Sequence, residues 1–219
     1  APLASSKTMF LDENGNIKNN SNHKGLLATG VPGTVAGLFL AHQKYGKLPW
    51  SKLVQPAINL AEQGFIFNWN LYRAGQRFKK ASDQFPFMSS YFDNKKGELT
   101  QPNEIWKQQA LANTLKKIRD NGRDGFYKGD IAEEIATYMS ANGGIITTED
   151  LEKYEAIERK PIIGTYKGFD IYGMPPPSSG GIALIEMMNI MELVNWDTIE
   201  FNSKEYVHIL TEAMRRAFA

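Results

Sequence analysis

Residues 174–181, Met-Pro-Pro-Pro-Ser-Ser-Gly-Gly, constrain the fold of this chain more than any other stretch. Three consecutive prolines exclude a helix. Each fixes its own φ, lacks an N–H and drives the residue before it toward an extended conformation. Gly180 and Gly181 then permit backbone angles or close approaches that a side chain forbids. Residues 169–172 before the corner have strand character, and an apolar run from Ile182 to Val194 follows it. The predicted order is strand, extended corner, tight glycine turn and buried helix. Pro175, Pro176, Pro177, Ser178, Ser179, Gly180 and Gly181 make the corner itself.

The rest of the chain punctuates into helices. Gly30, Pro32 and Gly33 mark a turn before an amphipathic helix with Val35, Leu38, Phe39 and Tyr45 on its apolar face and a stop at Gly46. Pro49 opens the next unit and Pro56 is expected to split it or to begin its second half, with a stop at Gly64. Residues 65–92 are aromatic-rich and read as helical, with a break near Phe85-Pro-Phe87. Asn103 is placed to cap a helix that runs to about Arg119 and buries Trp106, Leu111, Leu115 and Ile118. Ile131, Ile135 and Met139 mark another helix, closed at residues 142–144, Asn-Gly-Gly. Thr147 and Asp150 have capping-box spacing. Residues 161–166 and 169–172 around Lys167-Gly168 read as a β-hairpin. A last helix from Ser203 carries the stripe Tyr206, Val207, Leu210, Ala213, Met214 and Ala217.

Composition removes several function classes. The 219 residues carry 25 basic and 24 acidic side chains, a formal charge of +1, so nothing electrostatic calls for nucleic acid or an anionic membrane as partner. No apolar run reaches the roughly 20 residues that span a bilayer. With no cysteine there is no disulfide, no thiolate nucleophile and no thiolate metal site. The start lacks an initiator Met and a signal sequence, and the last helical pattern reaches Ala219 without a stop. Both ends read as cut, so the chain is expected to be a piece of a longer protein whose exposed apolar patches favour self-association.

No complete catalytic constellation is visible. A hydroxyl nucleophile needs a base and an oxyanion hole. Thr147-Thr148 is better explained as a cap, and Ser178-Ser179 as hydroxyls bonding backbone groups at a helix start. His23, His42 and His208 share no metal-ligand spacing, so neither a metal nor another cofactor is expected. Residues 30–33 and 142–144 match neither phosphate-loop pattern and read as turns.

Taken together, five stretches resemble the γ-glutamyltransferase (glutathione hydrolase) family. They are residues 29–37 (Thr-Gly-Val-Pro-Gly-Thr-Val-Ala-Gly), 45–50 with 55–57 and 61–65, 143–151 (Gly-Gly-Ile-Ile-Thr-Thr-Glu-Asp-Leu), 172–181 and 212–218. Their order is that of the family's large subunit. The resemblance implies an α+β, mainly helical chain that forms part of an N-terminal-nucleophile hydrolase αββα sandwich. Residues 1–219 would be a single incomplete domain, helical over 30–160, with hairpin, proline corner and helices over 161–219.

The implied activity is cleavage of the γ-glutamyl amide of glutathione-like substrates, with transfer of the acyl group to water or an amine. In the family a self-cleaving proenzyme frees a threonine at the start of the small subunit, and the large subunit holds the substrate α-carboxylate with an arginine. That arginine would lie just upstream of Ala1, and the nucleophile beyond Ala219. No catalytic or substrate-binding residue is therefore carried over onto this chain, and Ser178-Ser179 are not the family's substrate-binding serine pair. The implied partners are the small subunit and the remaining large-subunit segments, and the implied location is periplasmic or secreted. A related acylase, a capsule-polymer transpeptidase and a non-catalytic helical binding module remain alternatives.

Overall fold

Residues 1–80 and 90–219 are described by the computed structural model, so the expected break near Phe85-Pro-Phe87 lies outside the described residues. The class is the predicted one, mainly helical with short antiparallel strands. The chain divides into two compact units, Ala1–Ala156 and Ile157–Ala219.

In the first unit, α1 (Thr34–Tyr45) and α2 (Trp50–Gln63) start and stop where glycine and proline predict. Two details differ. Leu38 and Tyr45 are exposed, and α1 buries Ala36 instead, in the cluster it shares with Tyr127, whose hydroxyl takes the Ala36 N–H. Pro56 sits inside a continuous α2 and does not divide it. Proline removes a single helical N–H, while burial of Ile58 and Ala61 holds both halves of the helix to one surface.

Gly64, at φ 85°, turns the chain into β1 (Phe65–Ile66), and α3 (Trp69–Lys80) follows. β1 pairs antiparallel with β2 (Ile105–Trp106), Phe65 opposite Trp106. Trp106 is therefore not in a helix capped by Asn103. Asn103 occupies a left-handed turn at φ 73°, and α4 (Gln109–Asn121) begins only at Gln109. The physical reason is aromatic packing. The Trp106 ring stacks on Phe92 at 5.3 Å and meets Phe67 edge-on at 5.4 Å, burying it in one aromatic cluster. α4 packs on α2 and buries Ala112 and Ile118, while Leu111 is exposed. After α5 (Asp124–Tyr127), α6 (Asp130–Ala141) and α7 (Thr148–Glu152) complete a second core of Ala36, Tyr127, Ala132, Met139, Ile146 and Leu151.

In the second unit, β3 (Ile162–Tyr166) and β4 (Phe169–Gly173) form the predicted hairpin. Lys167 and Gly168 both take positive φ, as a two-residue turn that follows the strand twist requires. α8 (Gly180–Glu192) packs on both strands and on α9 (Lys204–Ala217), whose N-cap Ser203 accepts the Tyr206 N–H at 3.2 Å. The expected burial of α8 is only partial. Gly181 and Ala183 are buried, whereas Ile182 and Leu184 are exposed. The stripe of α9 likewise narrows to a buried Ala213, with Val207 and Met214 exposed. Among the described residues no helix is long and apolar enough to cross a membrane.

Candidate functional site

The first corner, Gly30-Val-Pro-Gly33, is held from outside by Tyr127. A helix begins with N–H groups that have no partner within it, and the N-cap of α1 is Gly33, which has no side chain to supply one. Tyr127 Oη takes that role, accepting the Ala36 N–H at 3.3 Å and donating to the Pro32 carbonyl at 2.6 Å. Its ring is fully buried and stacks on Tyr154, with centroids 5.7 Å apart and planes within 6°. Burial pushes the Tyr127 phenol up, against the opposing Ala36 N–H, so the hydroxyl stays protonated and able to donate. Gly33 is needed for space, since a Cβ there would overlap the Tyr154 hydroxyl. Arg123 closes the assembly. Its guanidinium lies 4.8 Å over the Tyr127 ring and donates to the Glu152 carbonyl at 2.7 Å.

α7 carries the predicted capping box, Thr147 Oγ1 accepting the Asp150 N–H at 3.2 Å and Asp150 Oδ2 accepting the Thr147 N–H at 2.8 Å. The Thr147 hydroxyl also donates to Asp150 Oδ2 at 2.8 Å, a third bond within the cap. Asp150 has a further partner. Its Oδ1 accepts the Leu3 N–H at 2.6 Å, across 147 positions of sequence. Burial pushes this carboxyl up, but the N–H groups of Leu3 and Thr147 and the Thr147 hydroxyl outweigh it, and the net displacement is downward.

The second corner contains Pro175, a cis bond between Pro176 and Pro177, and then Ser178 and Ser179. Arg159 Nη1 donates to the Pro176 carbonyl at 2.7 Å. Ser178 Oγ accepts the Gly180 N–H at 3.3 Å, the backbone bond expected of a serine at a helix start. Ser179 occupies the N-cap position in helical geometry and makes no side-chain cap bond, so only one of the two hydroxyls has that role. Gly181 and Gly173 bring helix and strand into backbone contact. A Cβ on Gly173 would stand 2.7 Å from Gly181 Cα, and one on Gly181 would overlap the Met174 carbonyl.

The two corners lie in separate units and are described separately. Neither contains a base poised on a hydroxyl. His42 Nε2 bonds the Leu48 carbonyl at 2.8 Å, and His23 and His208 are exposed. Among the described residues no group of three His, Asp or Glu side chains could hold a metal. Tyr127, Arg123 and Arg159 escape a reading of sequence because each acts on a backbone carbonyl distant in the chain. Only Asp150 carried a local signal, its capping-box spacing.

A family model described as Gamma-glutamyltranspeptidase matches residues 1–219. The glutathione hydrolase proenzyme of Escherichia coli (strain K12) is 42% identical over 228 residues, covering 100% of this chain and 38% of the relative. The crystal structure of Helicobacter pylori gamma-glutamyltranspeptidase superimposes with a TM-score of 0.93 at 40% identity, over 100% of this chain and 62% of that one. An acylase ACY 1 proenzyme of Pseudomonas sp. (strain SE83) is 34% identical over 218 residues, covering 92% of this chain and 36% of the relative. The chain thus spans well under half the length of the curated relatives it matches.

Proposed function

This chain belongs to the gamma-glutamyltranspeptidase family, and from that premise we propose that it is a segment of the large subunit of a γ-glutamyltransferase. The parent cleaves the γ-glutamyl amide of glutathione-like substrates and passes the acyl group to water or to an amino acid or peptide amine. The observation that most supports this reading is the correspondence of backbone along the whole chain with the H. pylori enzyme. A free-standing helical binding module does not account for a family match from residue 1 to 219.

Within the parent, this segment contributes scaffold. Gly30, Pro32, Gly33 and the residues of the 175–181 corner set the path of the backbone, and the nucleophile comes from the small subunit. The partners are that small subunit and the remaining large-subunit segments, and the location is periplasmic or secreted. A γ-glutamyl anilide assay tests the division of labour. The 219-residue chain gives no turnover above a buffer blank, while the full-length polypeptide cuts itself in two and releases the anilide. Turnover by the shorter chain would overturn it. The acylase relative gives the second reading a specific basis, and a full-length protein that hydrolysed other acyl amides but no γ-glutamyl substrate would select it.

The second unit exposes Leu193 at 87% and Phe201 at 80%. Such surface favours association when uncovered. Light scattering of the 219-residue chain is expected to show self-association, accompanied by binding of a hydrophobic dye. A monomer that leaves the dye dark would count against partners covering these faces.

A further inference from the structure

Asparagine is followed by glycine at Asn14-Gly15, Asn121-Gly122 and Asn142-Gly143. The pair has a chemistry of its own. Glycine has no side chain to obstruct its backbone nitrogen, so that nitrogen can attack Cγ of the asparagine before it. In sequence the three pairs are equivalent. In the structure they are not.

Two of the pairs end helices, with the asparagine amide tied back. At the end of α4, Asn121 Nδ2 donates to the Lys117 carbonyl at 3.2 Å. Gly122 there is buried, and a Cβ on it would overlap the Phe39 ring. After α6, Asn142 Nδ2 donates to the Tyr138 carbonyl at 2.8 Å. Each bond holds the amide over the preceding helical turn, away from the glycine nitrogen that follows. Gly143 is exposed, so this second pair lacks the burial that shields the first.

Asn14 has neither protection. It sits in an exposed turn at residues 12–16, closed by the bridge between Leu11 and Ile17. Asp12 Oδ1 accepts the N–H groups of Asn14 and Asn16, each at 2.9 Å, and Gly15 takes φ 80°. Among the described residues the Asn14 side chain has no hydrogen-bond partner. The same turn recurs at residues 94–98 and shows that none is needed. There Asn94 Oδ1 accepts the Lys96 and Glu98 N–H groups, Gly97 takes φ 75°, and Lys96 stands in the place of Asn14. Exposed turns with little buried apolar contact open locally at small free-energy cost.

We propose that Asn14 is a self-modification site, selected by the fold from the three pairs. The Gly15 nitrogen bonds to Asn14 Cγ, the Cγ–Nδ2 bond breaks, and ammonia leaves with the proton from Gly15. A cyclic imide remains. Water then adds to either ring carbonyl, that carbon–nitrogen bond breaks, and a proton returns to nitrogen, giving aspartate or isoaspartate. Either product sets a carboxylate beside Asp12 and Glu13 and cancels the formal charge of +1. Isoaspartate also moves a methylene into the main chain, which separates the Leu11–Ile17 bridge.

Ageing of the full-length polypeptide in neutral and mildly alkaline buffer tests this, read by mass spectrometry of the peptides that contain each pair. Asn14 should convert first, Asn142 roughly tenfold more slowly and Asn121 more slowly still. The product should be a mixture of aspartate and isoaspartate. Its rate of formation should rise with pH, because the Gly15 nitrogen must shed its proton to attack. In concentrated urea the three pairs should convert at similar rates. Asn14→Lys, the residue of the recurring turn, should stop conversion at this position and leave the melting temperature unchanged. Conversion of Asn142 or Asn121 as fast as Asn14 in the folded protein would overturn the proposal. So would a ranking that persists in urea, or aspartate as the sole product.

Discussion

Gly181→Ala is expected to unfold the start of α8, whereas Gly180→Ala, one residue earlier, is expected to be harmless. A Cβ on Gly180 would meet only Ser178 Oγ, at 3.5 Å, an ordinary contact. Alanine is the better helix former, so this variant should be neutral or stabilising by up to about 1 kcal/mol. A Cβ on Gly181 meets backbone instead: the Met174 carbonyl, the Met174 nitrogen at 2.9 Å and the Gly173 carbon at 3.0 Å. Backbone does not rotate aside as a side chain would. The opposing strand is fixed by five residue pairs of the hairpin, and the corner by Arg159 on the Pro176 carbonyl. Overpacking of this kind costs about 3 kcal/mol. Hydrogen exchange of the amides in α8 reads the difference directly, with acceleration of roughly a hundredfold for Gly181→Ala and none for Gly180→Ala. Equal protection in the two variants would mean that helix and strand can separate without loss.

This pair also shows how far the corner was legible. Three prolines followed by two glycines announced an extended stretch and a close approach, and the structure has both. The sequence did not say which glycine makes the approach, because that depends on Gly173 across the corner. The same division recurs elsewhere. Local chemistry was read correctly wherever a local cause suffices: the Lys167-Gly168 turn, the Thr147–Asp150 capping box and the stop at Gly64. Misreadings arise where distant residues decide. Trp106 fits a helical stripe with Leu111 and Leu115, yet Phe67 and Phe92 draw it into a strand. Pro56 looks like a break, yet Ile58 and Ala61 are buried on one continuous helix. The apolar faces of α8 and α9 have the pattern of buried stripes, yet Ile182, Leu184, Val207 and Met214 are exposed, and a periodic stripe cannot say whether its cover belongs to the same unit. Function was legible only through the register of five stretches, because the polar side chains described at the two corners bond backbone groups, a role that points to no particular reaction.

Tyr127 is the position where that organising role can be measured in two parts. Tyr127→Ala removes a fully buried ring from the core it shares with Ala36, Ala132, Met139, Ile146 and Leu151. Losses for buried aromatic residues run to about 3–5 kcal/mol, a large share of the roughly 5–15 kcal/mol that holds a domain together. The first unit should unfold at a markedly lower urea concentration than wild type. Tyr127→Phe keeps the ring, the stack on Tyr154 and the Arg123 contact, and deletes only the hydroxyl. The Pro32 carbonyl and the Ala36 N–H then lose their shared partner, at a cost of about 1–3 kcal/mol. Urea titrations followed by circular dichroism should place the phenylalanine variant between wild type and the alanine variant. Exchange of the Ala36 amide should accelerate in the phenylalanine variant while amides of α6 stay protected. If phenylalanine were as damaging as alanine, the hydroxyl would be holding the whole core together. If it were silent, the 30–33 corner would be held by Tyr154 packing against Gly33 alone. The intermediate result assigns the ring to stability and the hydroxyl to the path of the Gly-Val-Pro-Gly backbone into α1.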